Sequence, residues 1–345
     1  MHMSRTCFVR CFLVLSLACG VVAAQAPKAD PPAKTTPAFI DDEKLFEDFM
    51  SGLTNLAKEG KCLPNKKLLA RMKPGSKAKV VPAKPGEKVL SPEDVYKLAL
   101  PSVFVVGSVY KDKDGDWQDG SYATAWVAAP DGVLVTNWHV FEDLEDSEVF
   151  GALDHKGNLY PVIDFLGGDK IADVAVFRID AKGLTPLPIA EEFAPVGSWV
   201  AVLSHPGDNF YVFTTGSITR YSTNKNEDGK RERWMGLTAE YAGGSSGGPV
   251  LNNRGAVVGM AALTLTIDDG SGAAEPAPGR RKARLGQPPK APLPKDKIDP
   301  KDQPKPKDAP GADAKPEPVG PTVQMIMKMA VPGPTILKSF GAKAE

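Results

Sequence analysis

The apolar positions along this chain change their period. Between Asp41 and Lys58, Leu45, Phe46, Phe49, Met50, Leu53 and Leu56 recur on one helical face, which predicts an amphipathic helix there. A second, short helix is predicted from Pro64 to Met72. Ser91-Pro92-Glu93-Asp94 has the makings of a helix start: a Ser cap, Pro at the first helical position and acids in the first turn. That helix must end near Leu100, before Pro101. From there to about Ile267 the pattern becomes short, β-branched apolar runs divided by turn residues. They are Val103–Tyr110, Tyr122–Ala128, Val133–Thr136, Val174–Ile179, Trp199–Leu203, Tyr211–Ile218 and Ala256–Leu265. Their spacing predicts antiparallel β structure, a sandwich or a barrel. Val323–Val331 is apolar again, and a closing helix is predicted over Pro332–Phe340.

Composition changes this picture at the margins. The chain has 345 residues, a length that suggests about two domains. Its 32 Pro and 33 Gly make up about 19%, below the roughly 25–30% of a wholly disordered chain. The excess is local: residues 268–322 hold 13 of the 32 Pro, many Lys and Asp, and no aromatic residue. Such a stretch cannot bury enough apolar area to offset its ordering entropy, and disorder is predicted. Residues 25–38 read as a Pro-rich tail and 73–90 as a linker, which leaves 39–72 as a helical extension. That extension either packs on the main domain or serves, through residues 41–72, as an oligomerisation element. A helical bundle, a coiled coil and a polytopic membrane protein are disfavoured. The 42 basic and 42 acidic residues balance, so nothing steers the whole chain toward nucleic acid or an anionic membrane.

The N-terminus has the three parts of a secretory signal. Arg5 and Arg10 supply positive charge, an apolar run extends from Cys11 to Val22, and small residues follow at Ala23, Ala24 and Ala26. The run is short of the roughly 20 apolar residues of a spanning helix. Cleavage after Ala24 is expected, with the product periplasmic or secreted and not stably inserted in a membrane. A lipid anchor at Cys19 is the lesser alternative, because Ser16 stands where such signals carry an aliphatic residue. Export leaves Cys62 as the sole cysteine, so no internal disulfide can form.

Three local patterns carry chemistry. Thr136-Asn137-Trp138-His139-Val140 follows an apolar strand, Ile171-Ala172-Asp173-Val174 puts an acid at the head of another, and Gly243-Gly244-Ser245-Ser246-Gly247-Gly248-Pro249 is a Gly-rich turn between strands. Nucleophilic catalysis by Ser needs a base for its proton and an acid to orient that base. Without the signal, only three His remain. His155 reads as a solvated hairpin tip and His205 as a turn residue, while His139 sits at a buried strand end where one tautomer can be held. A tetrahedral oxyanion needs two backbone N–H donors aimed into one small space. Glycines allow that approach, and the expected donors are the N–H groups of Gly244 and Ser246. No metal or cofactor is expected, since the His and Cys show no ligand spacing.

TNWHV, ADVAVF and GGSSGGPV together resemble the signatures of the trypsin-like (chymotrypsin-fold) serine peptidases, and most nearly those of the bacterial HtrA/Deg-type branch. The resemblance extends over residues 201–220 and 251–259. It implies an all-β catalytic domain of two six-stranded antiparallel barrels with the site in the cleft between them. It implies His139 as general base, Asp173 as its orienting acid and Ser246 as nucleophile. Residues 91–267 would form the peptidase domain, 323–341 its closing strand and helix, and 268–322 an insertion, with no room left for a PDZ module. The primary specificity pocket would be lined by residues such as Glu240, Tyr241, Met260, Ala261 and Ala262, with Glu240 able to favour a basic side chain. Trp138 and Ser245 depart from the family pattern, which has Ala or Asn and Asn or Asp there. The implied activity is endopeptidase action on proteins or peptides, unfolded ones among them. A catalytically latent scaffold on the same fold is the alternative.

Overall fold

A computed structural model describes residues 39–71, 75, 78–81, 88–142, 144–226, 229–268 and 323–341. The signal-like residues 1–24, the tail 25–38, most of the 73–90 linker and residues 269–322 of the Pro-rich stretch lie outside the described residues.

Two of the helices begin where the sequence supplies a side-chain cap. In α1 (Asp42–Lys58), Asp41 accepts from the Lys44 N–H at 3.1 Å. In α3 (Pro92–Ala99), Ser91 accepts from the Asp94 N–H at 3.2 Å. These side chains satisfy donors that the first turn leaves without partners. Between the two lies α2, shorter than expected (Asn65–Leu69). The apolar face of α1 is used within the chain. Phe49 and Leu53 are fully buried, and the helix packs on three strands of the first barrel. Gly107 and Gly151 make room for it: a methyl group on either would meet Phe49 or Leu53 within 2.8 Å.

Twelve strands follow. They are β1 (Val103–Lys111), β2 (Trp117–Ala129), β3 (Val133–Thr136), β4 (Val149–Leu153), β5 (Leu159–Asp169), β6 (Val174–Ile179), β7 (Trp199–Ser204), β8 (Val212–Lys225), β9 (Arg231–Leu237), β10 (Pro249–Leu251), β11 (Val257–Asp268) and β12 (Val323–Pro332), before α4 (Gly333–Ser339). They close into two antiparallel barrels, ordered β1-β2-β3-β6-β5-β4 and β10-β11-β12-β9-β8-β7. Closure removes exposed sheet edges. The strands flanking residues 269–322 are hydrogen-bonded neighbours, with Asp268 opposite Val323.

The barrel interiors differ in kind. The first holds Phe104, Phe141, Phe150, Phe165 and Phe177. Phe141 meets Phe165 edge-on at 4.4 Å and Phe150 at 4.7 Å, the geometry that ring quadrupoles favour. The second is built of Val200, Val202, Ile218, Met235, Val250 and Val258. A third cluster joins α1, α4 and the facing sides of both barrels, and includes Trp126, Tyr122, Leu203 and Met329. At roughly 1.5–3 kcal/mol per buried large side chain, these clusters carry the fold with no disulfide among the described residues.

Four strands fall outside the apolar runs expected from sequence. β10 has three residues, and β4 holds five. Bulges in β5 break its alternation between Val162 and Asp164 and again between Phe165 and Gly167. In β9 the charged Arg231 and Arg233 are exposed on either side of buried Glu232. None of these presents the four or more alternating apolar residues that mark a strand.

Candidate active site

The candidate residues arrive from both barrels. His139 lies in a 3-10 turn, Trp138–Phe141, directly after β3. Asp173 heads β6, next to β3 in the same barrel. Ser246 lies in the turn before β10 of the second barrel. The long-range pairing of β3 with β6 makes the first two residues neighbours across 34 positions of sequence.

Asp173 is 2% exposed at its side chain and has φ of 58°. This left-handed conformation is tolerated by Asp more readily than by most residues. It is held from both sides: Asn137 Nδ2 donates to the Asp173 carbonyl at 3.0 Å, and Asp169 caps the preceding turn through the N–H groups of Ile171 and Ala172. The carboxylate then meets His139 three times. The His139 backbone N–H donates to Oδ1 at 3.0 Å, and ring Nδ1 lies 3.1 Å from Oδ1 and 2.9 Å from Oδ2. A carboxylate only accepts, so Nδ1 carries the proton and Nε2 presents its lone pair. Nε2 is 3.0 Å from Ser246 Oγ. The three side chains form one hydrogen-bonded line.

Two turns that share Ser245 build the segment, and Ser246 lies in the second. Ser245 N–H donates to Ala242 O at 3.0 Å, and Gly248 N–H to Ser245 O at 2.8 Å. The third residue of each turn has positive φ: Gly244 at 90° and Gly247 at 88°. A turn of that kind calls for Gly there. Space demands it as well. A methyl group on Gly244 would strike the His205 carbonyl and Tyr122, and one on Gly247 would strike Thr124 O and Thr136. The carbonyls of the turn are tied outward. Gly243 O accepts from Gly207 N–H, Gly244 O from Thr124 Oγ1 at 2.9 Å, and Ser246 O from Thr124 N–H at 2.8 Å. Among the described residues, the N–H groups of Gly244 and Ser246 donate to nothing, so both stand available beside the Ser246 hydroxyl.

The two departures have structural reasons. The Trp138 ring lies over Gly168 of β5, and its Nε1–H donates to Glu142 at 3.0 Å. Ser245 is fully buried and accepts from the Ser204 hydroxyl at 3.0 Å, tying the turn to the end of β7.

The five residues expected at a specificity pocket differ in exposure, and the Tyr241 hydroxyl reaches Leu263 O, next to Ala262, at 3.3 Å. Met260 and Ala261 are wholly buried in the apolar clusters. Tyr241 is buried, with its hydroxyl donating to Met329 O at 2.7 Å. The Glu240 side chain is 74% exposed and pairs with Lys328, with 3.0 Å between the carboxylate and Nζ. Only Ala262 touches the nucleophile. It is the extra residue of a bulge in β11, and its carbonyl oxygen lies 3.2 Å from Ser246 Oγ. Bulges of this kind re-aim groups next to active sites.

Sequence reasoning missed three participants. Lys328, 6% exposed on β12, donates to Tyr241 O at 2.7 Å; its VQMIMKMAV context reads as plain strand. Tyr122 and His205 support the glycine turn from behind. His205 is fully buried rather than in an open turn, and burial lowers its pKa to about 3. His155 does sit at the β4–β5 hairpin tip but is half-buried, and burial lowers its pKa too. Nothing local distinguishes these histidines from solvated ones.

Residues 123–260 match the family described as Trypsin-like peptidase domain. The chain is 32% identical over 150 residues to the probable periplasmic serine endoprotease DegP-like of Chlamydia pneumoniae, covering 43% of this chain and 29% of that protein. It is 26% identical over 186 residues to the serine endoprotease DegS of Haemophilus influenzae, covering 52% and 54%. A crystal structure of the serine endoprotease from Yersinia pestis aligns at 23% identity with a TM-score of 0.41, over 52% of this chain and 60% of that one. The chain thus carries a trypsin-like peptidase domain with HtrA/Deg serine proteases among its homologues. It spans about a third or less of the length of the DegP-like relatives it matches.

Proposed function

We propose that this chain is an exported serine endopeptidase that hydrolyses peptide bonds in proteins, unfolded ones among them. One observation carries the reading: the continuous hydrogen-bonded line Asp173–His139–Ser246 ends beside two unused backbone donors.

The chemistry follows from the atoms in place. Ser246 Oγ attacks the carbonyl carbon of a peptide bond while its proton passes to His139 Nε2. The negative charge that develops on the carbonyl oxygen is taken by the N–H groups of Gly244 and Ser246. Asp173 accepts from Nδ1–H and stabilises the imidazolium without taking its proton. His139 then gives the Nε2 proton to the departing amine as the C–N bond breaks, leaving an ester on Ser246. Water, losing a proton to the same nitrogen, attacks the ester; Nε2 returns that proton to Ser246 Oγ as its bond to the acyl carbon breaks, releasing the acid. Ala262 O lies beside the hydroxyl, where a substrate N–H would find an acceptor. Export is supported by the charge, apolar run and small residues of positions 1–24, and by relatives named as periplasmic.

A fluorophosphonate probe, which reacts with an activated serine, tests this. The protein is expected to be labelled, and Ser246→Ala to abolish labelling; equal labelling of that variant would sink the assignment. Turnover of unfolded casein separates an endopeptidase from a latent scaffold. Labelling without cleavage of any peptide would favour the scaffold. For export, mass spectrometry of the protein recovered from the periplasm or medium is expected to find an N-terminus at Gln25.

A further inference from the structure

The direction of a backbone N–H is set by the carbonyl in the same peptide plane. A trans peptide points its C=O and the following N–H opposite ways. Ser246 N–H is aimed by Ser245 O, which is held within the turn by Gly248 N–H. Gly244 N–H is aimed by Gly243 O, and that oxygen is held from elsewhere: it accepts from Gly207 N–H at 2.8 Å. Gly207 belongs to the connection between β7 and β8, so one oxyanion donor depends on whatever holds residues 205–211.

The N-terminal extension holds them. Asp42, the first residue of α1, accepts from Phe210 N–H at 2.9 Å. Phe46, one turn on, packs edge-on against Tyr122 with centroids 6.1 Å apart. The Tyr122 hydroxyl accepts from Asp208 N–H at 2.5 Å, and its ring meets Phe210 at 5.9 Å. The same ring lies against Gly244. The connection does not relax into this shape unaided. Asp208 and Tyr211 both have positive φ, at 61° and 59°, a conformation that non-glycine residues keep only when their surroundings over-determine it. Buried His205 adds a further tie, its Nδ1 accepting from Tyr211 N–H at 3.0 Å.

We propose that α1 is a strut for the oxyanion site. Asp42 and Phe46 act as positioning residues: they hold residues 207–211, and through Gly207 they fix the direction of Gly244 N–H. Without them the 243–244 peptide is free to rotate and one donor turns away, while the Asp173–His139–Ser246 line stays intact. Chain N-terminal to the barrels thereby gains control over the site. The inference rests on Ser246 being the nucleophile.

The test compares wild type with Asp42→Ala/Phe46→Ala and with Asp42→Asn, which keeps a side-chain oxygen acceptor. Measured are kcat and KM on unfolded casein, the fluorophosphonate labelling rate per folded molecule, and amide hydrogen exchange at 205–211 and 243–246. The double variant is expected to lose about 10–100-fold in kcat and labelling rate, with KM nearly unchanged, and to exchange faster at both segments. Asp42→Asn is expected to retain most of the rate. A double variant that is less heat-stable but labels and turns over at the wild-type rate overturns the proposal. Should Ser246→Ala still be labelled, the nucleophile reading fails separately. Exchange then decides the mechanical link: faster exchange at 207–211 upholds it and unchanged exchange overturns it.

Discussion

Gly244→Ala is the most informative single substitution in the turn. Gly244 has φ of 90°, a region that costs an L-residue about 1–2 kcal/mol. An added methyl would sit 2.7 Å from Tyr122 Cε2 and closer still to the His205 carbonyl, which as backbone cannot move aside. Overpacking of this kind costs about 1–3 kcal/mol. Together the two give roughly 2–5 kcal/mol, or about 4–20 °C in melting temperature for a domain of this size. If the turn relieves the clash by rotating, the Gly244 N–H leaves the oxyanion position, and loss of one such donor lowers kcat by about 10²–10³. Gly243→Ala is the internal control. Nothing lies within 4 Å of a methyl group there, and its φ is not positive. Its kcat should be unchanged and its stability equal or slightly higher, by about 0.4–1 kcal/mol. The assay is kcat and KM on casein or a cleaved peptide, with a thermal melt of each variant. Equal kcat and equal melting for the two variants would refute both the turn geometry and the role given to its N–H groups.

Asp173→Asn should keep the fold yet lower kcat by about 10⁴, because an amide can donate to Nδ1 and stabilise the wrong tautomer; a loss below tenfold would remove Asp173 from the line. His205 makes stability depend on pH. Its pKa is lowered by burial to about 3, against an ordinary value of about 6.5. Its contribution is full above about pH 6.5. It is lost as pH falls toward 3, by up to about 1.4 kcal/mol per pH unit, because the unfolded chain takes the proton first. Urea unfolding at pH 7 and pH 5 should show a smaller pH loss in His205→Gln than in wild type; identical losses would contradict this. The Cys62 thiol is buried, and burial pushes it up to about 11. A thiol reagent at pH 8 should modify it only after unfolding, and prompt reaction of the native protein would show that the α1–α2 connection opens.

Much of the fold could be read along the chain wherever side-chain period and turn chemistry agree. Ser91 and Pro92 mark the start of α3, and Val133–Thr136 is a strand to the residue. Reading failed where the signal is short or broken, as in three-residue β10 and twice-bulged β5. Polar outer faces hid length as well: β8 runs on to Lys225 past its last buried residue, Ile218, because hairpin pairing with β9 stabilises it. His139, Asp173 and Ser246 were visible because their types and order are chemically restrictive. The orientation of Met260, Ala261 and Ala262 was not, since it depends on a register shift at Ala262 that one strand cannot reveal.

What the chain determines locally is therefore the set of strands and caps, the glycines that must accept positive φ, and the three side chains proposed for acyl transfer. Tertiary structure decides the rest. Barrel closure brings β3 beside β6, and packing of one barrel on the other sets Ser246 Oγ 3.0 Å from His139 Nε2. It buries His205 and Lys328, pairs Glu240 with Lys328 and places Asp42 against Phe210 across 168 positions of sequence. The physical reason is range. Backbone preference and side-chain period act over a few residues, whereas burial and hydrogen-bond direction are set by whatever the closed barrels bring alongside.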